Sequence, residues 1–250
     1  MLAAMKVGLF IPCYVDQLKP EVGMATLKVL EQAGVQVEFP EDQTCCGQPM
    51  ANSGCAREAA KVARKFVRIF ASYDYVVGPS GSCVSMVRNH YGHYLHGQRD
   101  YERLRTRIYE LCEFLHDVLG KRAWPARFPH RVGIHQGCHG LRELRLGRSS
   151  ELRAPAFDKV RALLSSVEGI SLVELSRPDE CCGFGGTFAV AEDAVSGMMG
   201  RDRVDDHERA GAEVITGVDP SCLLHLEGIA RRRNKPMRVM HVSQILAGEA

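Results

Sequence analysis

The sequence predicts an α/β protein of two pseudo-symmetric lobes, each a parallel sheet flanked by helices. Three observations carry that expectation. Runs with β character alternate with helical stretches along the chain, which implies parallel strands joined by right-handed crossovers. The opening "KVGLFIPC" (6–13) returns as "RVGIHQGC" (131–138), so one pattern is written twice. A Cys-Cys-Gly triplet also falls at the matching place in each copy, beginning at Cys45 and at Cys181.

The elements follow in order. After the first strand comes a helix over about 20–33, with Pro20 near its start and Gly34 as its C-cap. A strand, "VQVEF" (35–39), leads into the first Cys-Cys-Gly. A long helix over about 55–72 precedes the buried run "YVVGP" (75–79), which ends in "SGSC" at Cys83 and a further helix start. Apolar residues at Leu104, Ile108, Leu111 and Leu115 predict a helix that closes the first half. "WPARFPH" (124–130) has two prolines in seven residues and reads as a linker between lobes 1–123 and 131–250. The second copy repeats the plan. It has a helix over about 155–165, the strand "ISLVEL" (170–175), a helix over about 187–210 and the strand "EVITGV" (213–218), which runs into "DPSC" at Cys222. "MRVMHVSQIL" adds a last strand and helix.

The composition narrows the function classes. The chain has 250 residues, 45% hydrophobic and 25% charged, enough for a sizeable core. A formal charge of +2 gives no argument for nucleic acid or an acidic surface as partner. The start, "MLAAMKVGLFIPCYV", has no basic region before its apolar part and is interrupted by Pro12. It reads as a buried strand rather than a signal peptide. No window approaches the roughly 18 apolar residues of a membrane span. A cytoplasmic location is therefore expected. Thiols stay reduced there, so ten cysteines point to metal or redox work rather than a disulfide framework.

Eight of the ten fall into two matched sets, Cys13, Cys45, Cys46, Cys83 and Cys138, Cys181, Cys182, Cys222. Each follows a predicted strand or the loop beyond it. In parallel sheets that is the carboxyl rim, where ligands bind. Zinc favours short C-x₂₋₄-C knuckles, which neither copy has, and adjacent thiols reach two corners of one small tetrahedron with difficulty. An iron–sulfur cluster spreads its irons over several ångströms, so neighbouring thiolates can take different irons. An iron–sulfur cluster in each repeat is the preferred expectation; zinc, or a thiol site without metal, stays open. The glycine after each pair lets backbone come close, with N–H groups aimed at cluster sulfur. Cys55 and Cys112 have no counterparts and are expected to be small buried hydrophobes.

The duplicated C…CCG…C pattern resembles the cysteine-rich (CCG) domain family. "CCGQPMANSG" (45–54), "PSGSC" (79–83), "CCGFGGTF" (181–188), "SCLLH" (221–225) and "VMHVSQIL" carry the resemblance, which covers nearly the whole chain. The family includes iron–sulfur subunits of heterodisulfide reductase, of anaerobic glycerol-3-phosphate dehydrogenase and of glycolate oxidase. The resemblance implies a stand-alone two-repeat redox subunit. It would act with lactate utilization proteins B and C in oxidising L-lactate, or a close 2-hydroxy acid, to pyruvate, passing electrons to a ferredoxin-like partner. One departure stands out. Heterodisulfide reductase has a C-x-x-C where this chain has Ser80 and Asp219 as first members, leaving four thiols per repeat. That favours an ordinary four-iron cluster and counts against thiol–disulfide reduction. Ser80 reads as a turn residue, and Asp219-Pro220 as a turn or helix start. A zinc-bound, non-catalytic scaffold is the remaining alternative.

Other groups are weaker candidates. His135, His139 and His241 lie near predicted strand ends and could act as base, hydrogen-bond donor or ligand. Arg142 and Arg145 could grip a carboxylate. His90, His93 and His96 have helical spacing but read as a polar surface segment. No flavin or nicotinamide fingerprint is present.

Overall fold

The computed structural model describes residues 5–249. The residues of the opening apolar run before Met5 lie outside them. In the first lobe the order is β1 (Lys6–Leu9), α1 (Cys13–Leu18), α2 (Pro20–Gln32), β2 (Gln36–Glu38), α3 (Gln48–Asn52), α4 (Ala56–Phe70), β3 (Tyr75–Gly78), α5 (Gly81–Ser85), α6 (Gly92–Leu95), α7 (Arg99–Leu104), β4 (Ile108–Glu110) and α8 (Leu111–Glu113). The second lobe has β5 (Arg131–His135), α9 (Lys159–Leu164), β6 (Ser171–Leu172), α10 (Phe188–Ala191), α11 (Asp193–Arg209), β7 (Val214–Gly217), α12 (Pro220–Arg232), β8 (Arg238–His241) and α13 (Val242–Leu246). Single π-helical turns extend α5 and α8, and a third follows Cys138.

Each lobe holds a four-stranded sheet, ordered β2-β1-β3-β4 and β6-β5-β7-β8, with every pairing parallel. The two orders are the same, as the doubled sequence requires. The central strands of both are buried along almost their whole length, the pattern of a parallel sheet covered on both faces. One apolar core runs through both lobes, from Val7, Phe66 and Val77 to Val132, Leu163 and Ile245. Phe10 and Phe66 meet edge to face at 4.8 Å, an arrangement worth about 0.5–1.5 kcal/mol beyond the area they bury. Residues 124–130 are not a loose tether. Trp124 and Phe128 are buried, and the Trp124 indole N–H donates to the Leu246 carbonyl at 2.7 Å.

The lobes meet where α5 crosses the π turn after Cys138. The Gly81 N–H donates to the Val218 carbonyl at 3.1 Å, and the Ser82 N–H to the Asp219 carboxylate at 2.7 Å. A Cβ added to Gly81 would stand 3.2 Å from the Gly140 nitrogen, so backbone lies directly on backbone.

Three expectations need correction. The helix through Leu104, Ile108, Leu111 and Leu115 does not exist as one piece. All four side chains are buried, but Leu104 ends α7, Ile108 opens β4 and Leu111 starts α8. Pairing with β3 overrode an apolar spacing that suits a helix equally well. The helix expected over 187–210 breaks at Glu192 into α10 and α11. The helix expected from 155 begins only at Lys159, where Asp158 caps it by accepting the Arg161 N–H.

Glu110, the last residue of β4, shows what the missed strand does. It is fully buried and caps α8, accepting the N–H groups of Cys112 at 2.8 Å and Glu113 at 3.2 Å. Burial pushes its carboxyl up to about 8 in spite of those bonds. The folded state thus keeps a proton that the unfolded chain releases. Its stabilisation is full below the ordinary value of 4.5 and is lost as pH rises through about 8. Across that window stability should fall by up to about 1.4 kcal/mol per pH unit. Glu110→Gln cannot ionise and should flatten the curve in urea unfolding. An unchanged slope would exclude this carboxyl as its source.

Candidate metal centre

The crossovers bring all eight matched cysteines to one place. Cys13 opens α1 directly after β1, and Cys138 holds the equivalent position after β5. Cys83 and Cys222 sit in the first turns of α5 and α12, beyond β3 and β7. The Cys-Cys pairs lie in the loops that follow β2 and β6. Both sets line a single cavity of about 310 Å³. Its wall also includes Tyr14, Gln48, His135, His139, Phe184 and Val190. No arginine or lysine is among its described lining residues.

Within each set the thiols are hydrogen-bonded neighbours. Cys13 Sγ lies 3.7 Å from Cys45 Sγ. Hydrogen bonds from Cys13 and Cys46, helped by the Gly47 N–H, hold Cys45 far below the ordinary thiol value. Donation to Cys45, then burial, pushes Cys13 far above it. The second lobe repeats this. Cys181 is lowered by Cys138 and Cys182, while Cys138 and Cys182 are raised by donating to it. Without a counter-charge Cys45 and Cys181 are held as thiolates while Cys13, Cys46, Cys138 and Cys182 hold their protons. A cationic centre between the sulfurs removes that conflict.

The glycine of each triplet is needed for its backbone. Gly47 and Gly183 have φ of 81° and 85°, in the left-handed region. That turn aims the N–H of each at the first sulfur of its pair, 3.3 Å from Cys45 Sγ and from Cys181 Sγ. At Gly183 a Cβ would also fall 2.7 Å from the Met199 Cβ. Tyr91, buried, fixes the first pair from behind by donating its hydroxyl to the Cys46 carbonyl at 2.8 Å.

Ser80 and Asp219 occupy equivalent turns and act as N-caps. Ser80 Oγ accepts the Cys83 N–H at 3.3 Å. Asp219 accepts the Ser221 N–H and hydroxyl with one oxygen and the Ser82 N–H of the other lobe with its second. Both line the cavity. His139 also lines it; its Nε2 accepts from the Gln48 amide at 3.3 Å across the lobes. His135 ends β5, is 2% exposed, and among the described residues has no partner for either ring nitrogen. One of its nitrogens and the sulfurs of Cys182 and Cys222 lie within 4.8 Å of one another. Burial, then the Arg203 charge, lowers His135 to about 4, so the ring is neutral.

Other candidates lie elsewhere. His241 caps α13 by accepting the Ser243 N–H at 3.1 Å and is not part of the cavity wall. Arg142 is engaged by Glu151 at 2.6 Å, and Arg145 is not in the wall either. His90 pairs with Glu143 at 2.9 Å and stacks on His93. Cys112 is buried as expected, but Cys55 is exposed: it precedes α4, where the chain turns to solvent. Arg203 and His207, both buried behind the second thiol set, were missed. Their place is evident only in the fold, where His207 faces Gly133 as Phe70 faces Gly8.

The donor chemistry fits a thiolate-bound metal group in each lobe. Four thiols, a directed N–H and two helix N-termini converge from separate elements, an arrangement that favours anionic sulfur. Two parallel-sheet lobes with doubled Cys-Cys-Gly loops at one rim define the class, and the chain belongs to the cysteine-rich (CCG) domain family. The family model matches residues 7–88 and again 132–227. The chain is 40% identical over 247 residues to lactate utilization protein A 2 of Bacillus cereus (strain Q1), covering 97% of this chain and 98% of that protein. It is 42% identical over 246 residues to lactate utilization protein A of Geobacillus kaustophilus (strain HTA426), with the same coverage. Among solved structures, an aspartate racemase homologue from Pyrococcus horikoshii OT3 aligns over 97% of this chain and 95% of that one. It has 10% identity and a TM-score of 0.30, a likeness too slight to carry an argument. Among the described residues no helix is long and apolar enough to cross a membrane.

Proposed function

We propose that this chain is an iron–sulfur subunit in the oxidation of L-lactate, or a close 2-hydroxy acid, to pyruvate. Cys13, Cys45, Cys46 and Cys83 would hold one [4Fe-4S] cluster, and Cys138, Cys181, Cys182 and Cys222 the second. The observation that carries the reading is the convergence of eight thiols on one cavity. Similarity to lactate utilization protein A over 97% of the chain supplies the substrate. Such clusters, when bound, accept and pass on single electrons.

The chain's own residues supply the setting. The Gly47 and Gly183 N–H groups and the α5 and α12 N-termini stabilise thiolate charge. Among the described residues the cavity wall has no arginine or lysine to grip a carboxylate by an ion pair. That supports an electron-carrying role, with 2-hydroxy acid binding completed by partners. By resemblance those partners are lactate utilization proteins B and C, B being the ferredoxin-like acceptor, in the cytoplasm.

The test is anaerobic purification with iron, acid-labile sulfide and zinc counted per chain, followed by L-lactate addition with the two partners. About eight irons with matching sulfide, reduced only when lactate and partners are present, is the expected result. Zinc without sulfide would replace this reading with a structural scaffold.

A further inference from the structure

The two lobes share a plan but not the packing behind their thiols. In the first, Phe10 follows β1 and packs against Phe66 and Phe70 of α4. In the second, His135 takes the position of Phe10: each comes two residues after the strand glycine, Gly133 or Gly8. Gly8 faces Phe70 and Tyr73, whereas its counterpart Gly133 faces His207. His207 thus replaces Phe70, and Arg203, one turn earlier on α11, replaces Phe66. An aromatic trio has become His-Arg-His at the same depth, with all three side chains at most 2% exposed.

Such burial is costly unless the polar atoms have partners. Part of the trio is accounted for. Arg203 Nη1 donates to the Arg177 carbonyl and lies 3.3 Å from Asp206, fastening the loop that leads to Cys181. Asp206 is itself engaged by the Ser176 hydroxyl and N–H and the Arg177 N–H. Among the described residues, Arg203 Nε and Nη2 and both ring nitrogens of His135 and His207 remain without partners. Of these, His135 is the group that reaches the cavity, between Cys182 and Cys222.

We infer that the two sites are electronically unequal: His135 donates its ring N–H to sulfur in the second site and makes that site the more easily reduced. This rests on the iron–sulfur reading above. Reduction adds negative charge to a group already held by thiolates. A directed N–H stabilises that charge, whereas a cage of phenyl rings does not. The four thiols of the second set are complete without His135, which leaves it the role of donor.

An EPR-monitored redox titration tests it. Cys46→Ser protein retains the second site, and Cys182→Ser protein the first. The midpoint in Cys46→Ser should be the more positive. His135→Phe, which restores the first lobe's residue, should move that midpoint downward, and His135→Gln, which keeps an N–H, should move it less. Phe10→His in the first lobe should raise the other midpoint. Equal midpoints in the two cysteine variants, or a second-site midpoint at or below the first, would overturn the inference even if His135→Phe fails to fold. Loss of iron and sulfide from the unmutated chain would remove the iron–sulfur reading itself, which the count in the same samples reveals.

Discussion

Cys182→Ser is expected to halve the iron and sulfide bound per chain, a loss of about four irons. Cys182 is the strongest single probe of the thiol assignment. It is 2% exposed, it hydrogen-bonds with Cys181 and Cys222, and it packs against Val204, Ile215 and Leu226. Serine offers a shorter, harder donor in a pocket that cannot close around it. Cys46→Ser should remove the other half, since Cys46 holds the matching place between Cys45 and Cys83. Cys55 and Cys112 are the controls. Cys55 is exposed, and Cys112 is buried beside Glu110 rather than beside a thiol of either set. Serine at either should leave the iron content unchanged. Full iron in Cys182→Ser protein would sink the assignment of the second set.

Asp219→Ala should cost about 2–4 kcal/mol of stability, because it strands buried donors on both sides of the lobe junction. The carboxylate accepts from Ser82 in one lobe and from Ser221 in the other. Ser80→Ala, at the equivalent turn, loses one cap and should cost only about 1 kcal/mol. Urea unfolding of the two variants side by side gives the comparison. Equal losses would mean that Asp219 serves its own helix alone and does not tie the lobes.

Much of this was legible in the sequence because duplication makes each half a check on the other. The cysteines read as strand-end residues, and the structure puts them at one rim. The doubled Cys-Cys-Gly led to an expectation of N–H groups aimed at cluster sulfur, whereas Gly47 and Gly183 aim theirs at cysteine sulfur. What failed was local. Ile108 has an apolar spacing that serves a helix or a strand, and only the β3 partner decides between them. Cys55 looked like a core residue by type, yet side-chain identity does not report which way a helix start faces. Arg203 and His207 were invisible for a different reason. On a helix of low apolar content, a charged pair one turn apart looks like a solvated face. Its burial follows from how α11 packs, which no pattern within that helix records.

The contact between Gly81 and Gly140 has a mechanical consequence. Peptide planes that touch without side chains between them leave no cushion to compress and no rotamers to rearrange. Together with the Ser82–Asp219 bond and the Trp124–Leu246 bond, it makes the junction a weld rather than a hinge. Swinging the halves apart like a clamshell would break the Gly81–Gly140 contact and the Ser82–Asp219 bond. Traffic to the thiol-lined chamber must pass its rim, where short α10 presents Val190, 84% exposed, as the doorpost.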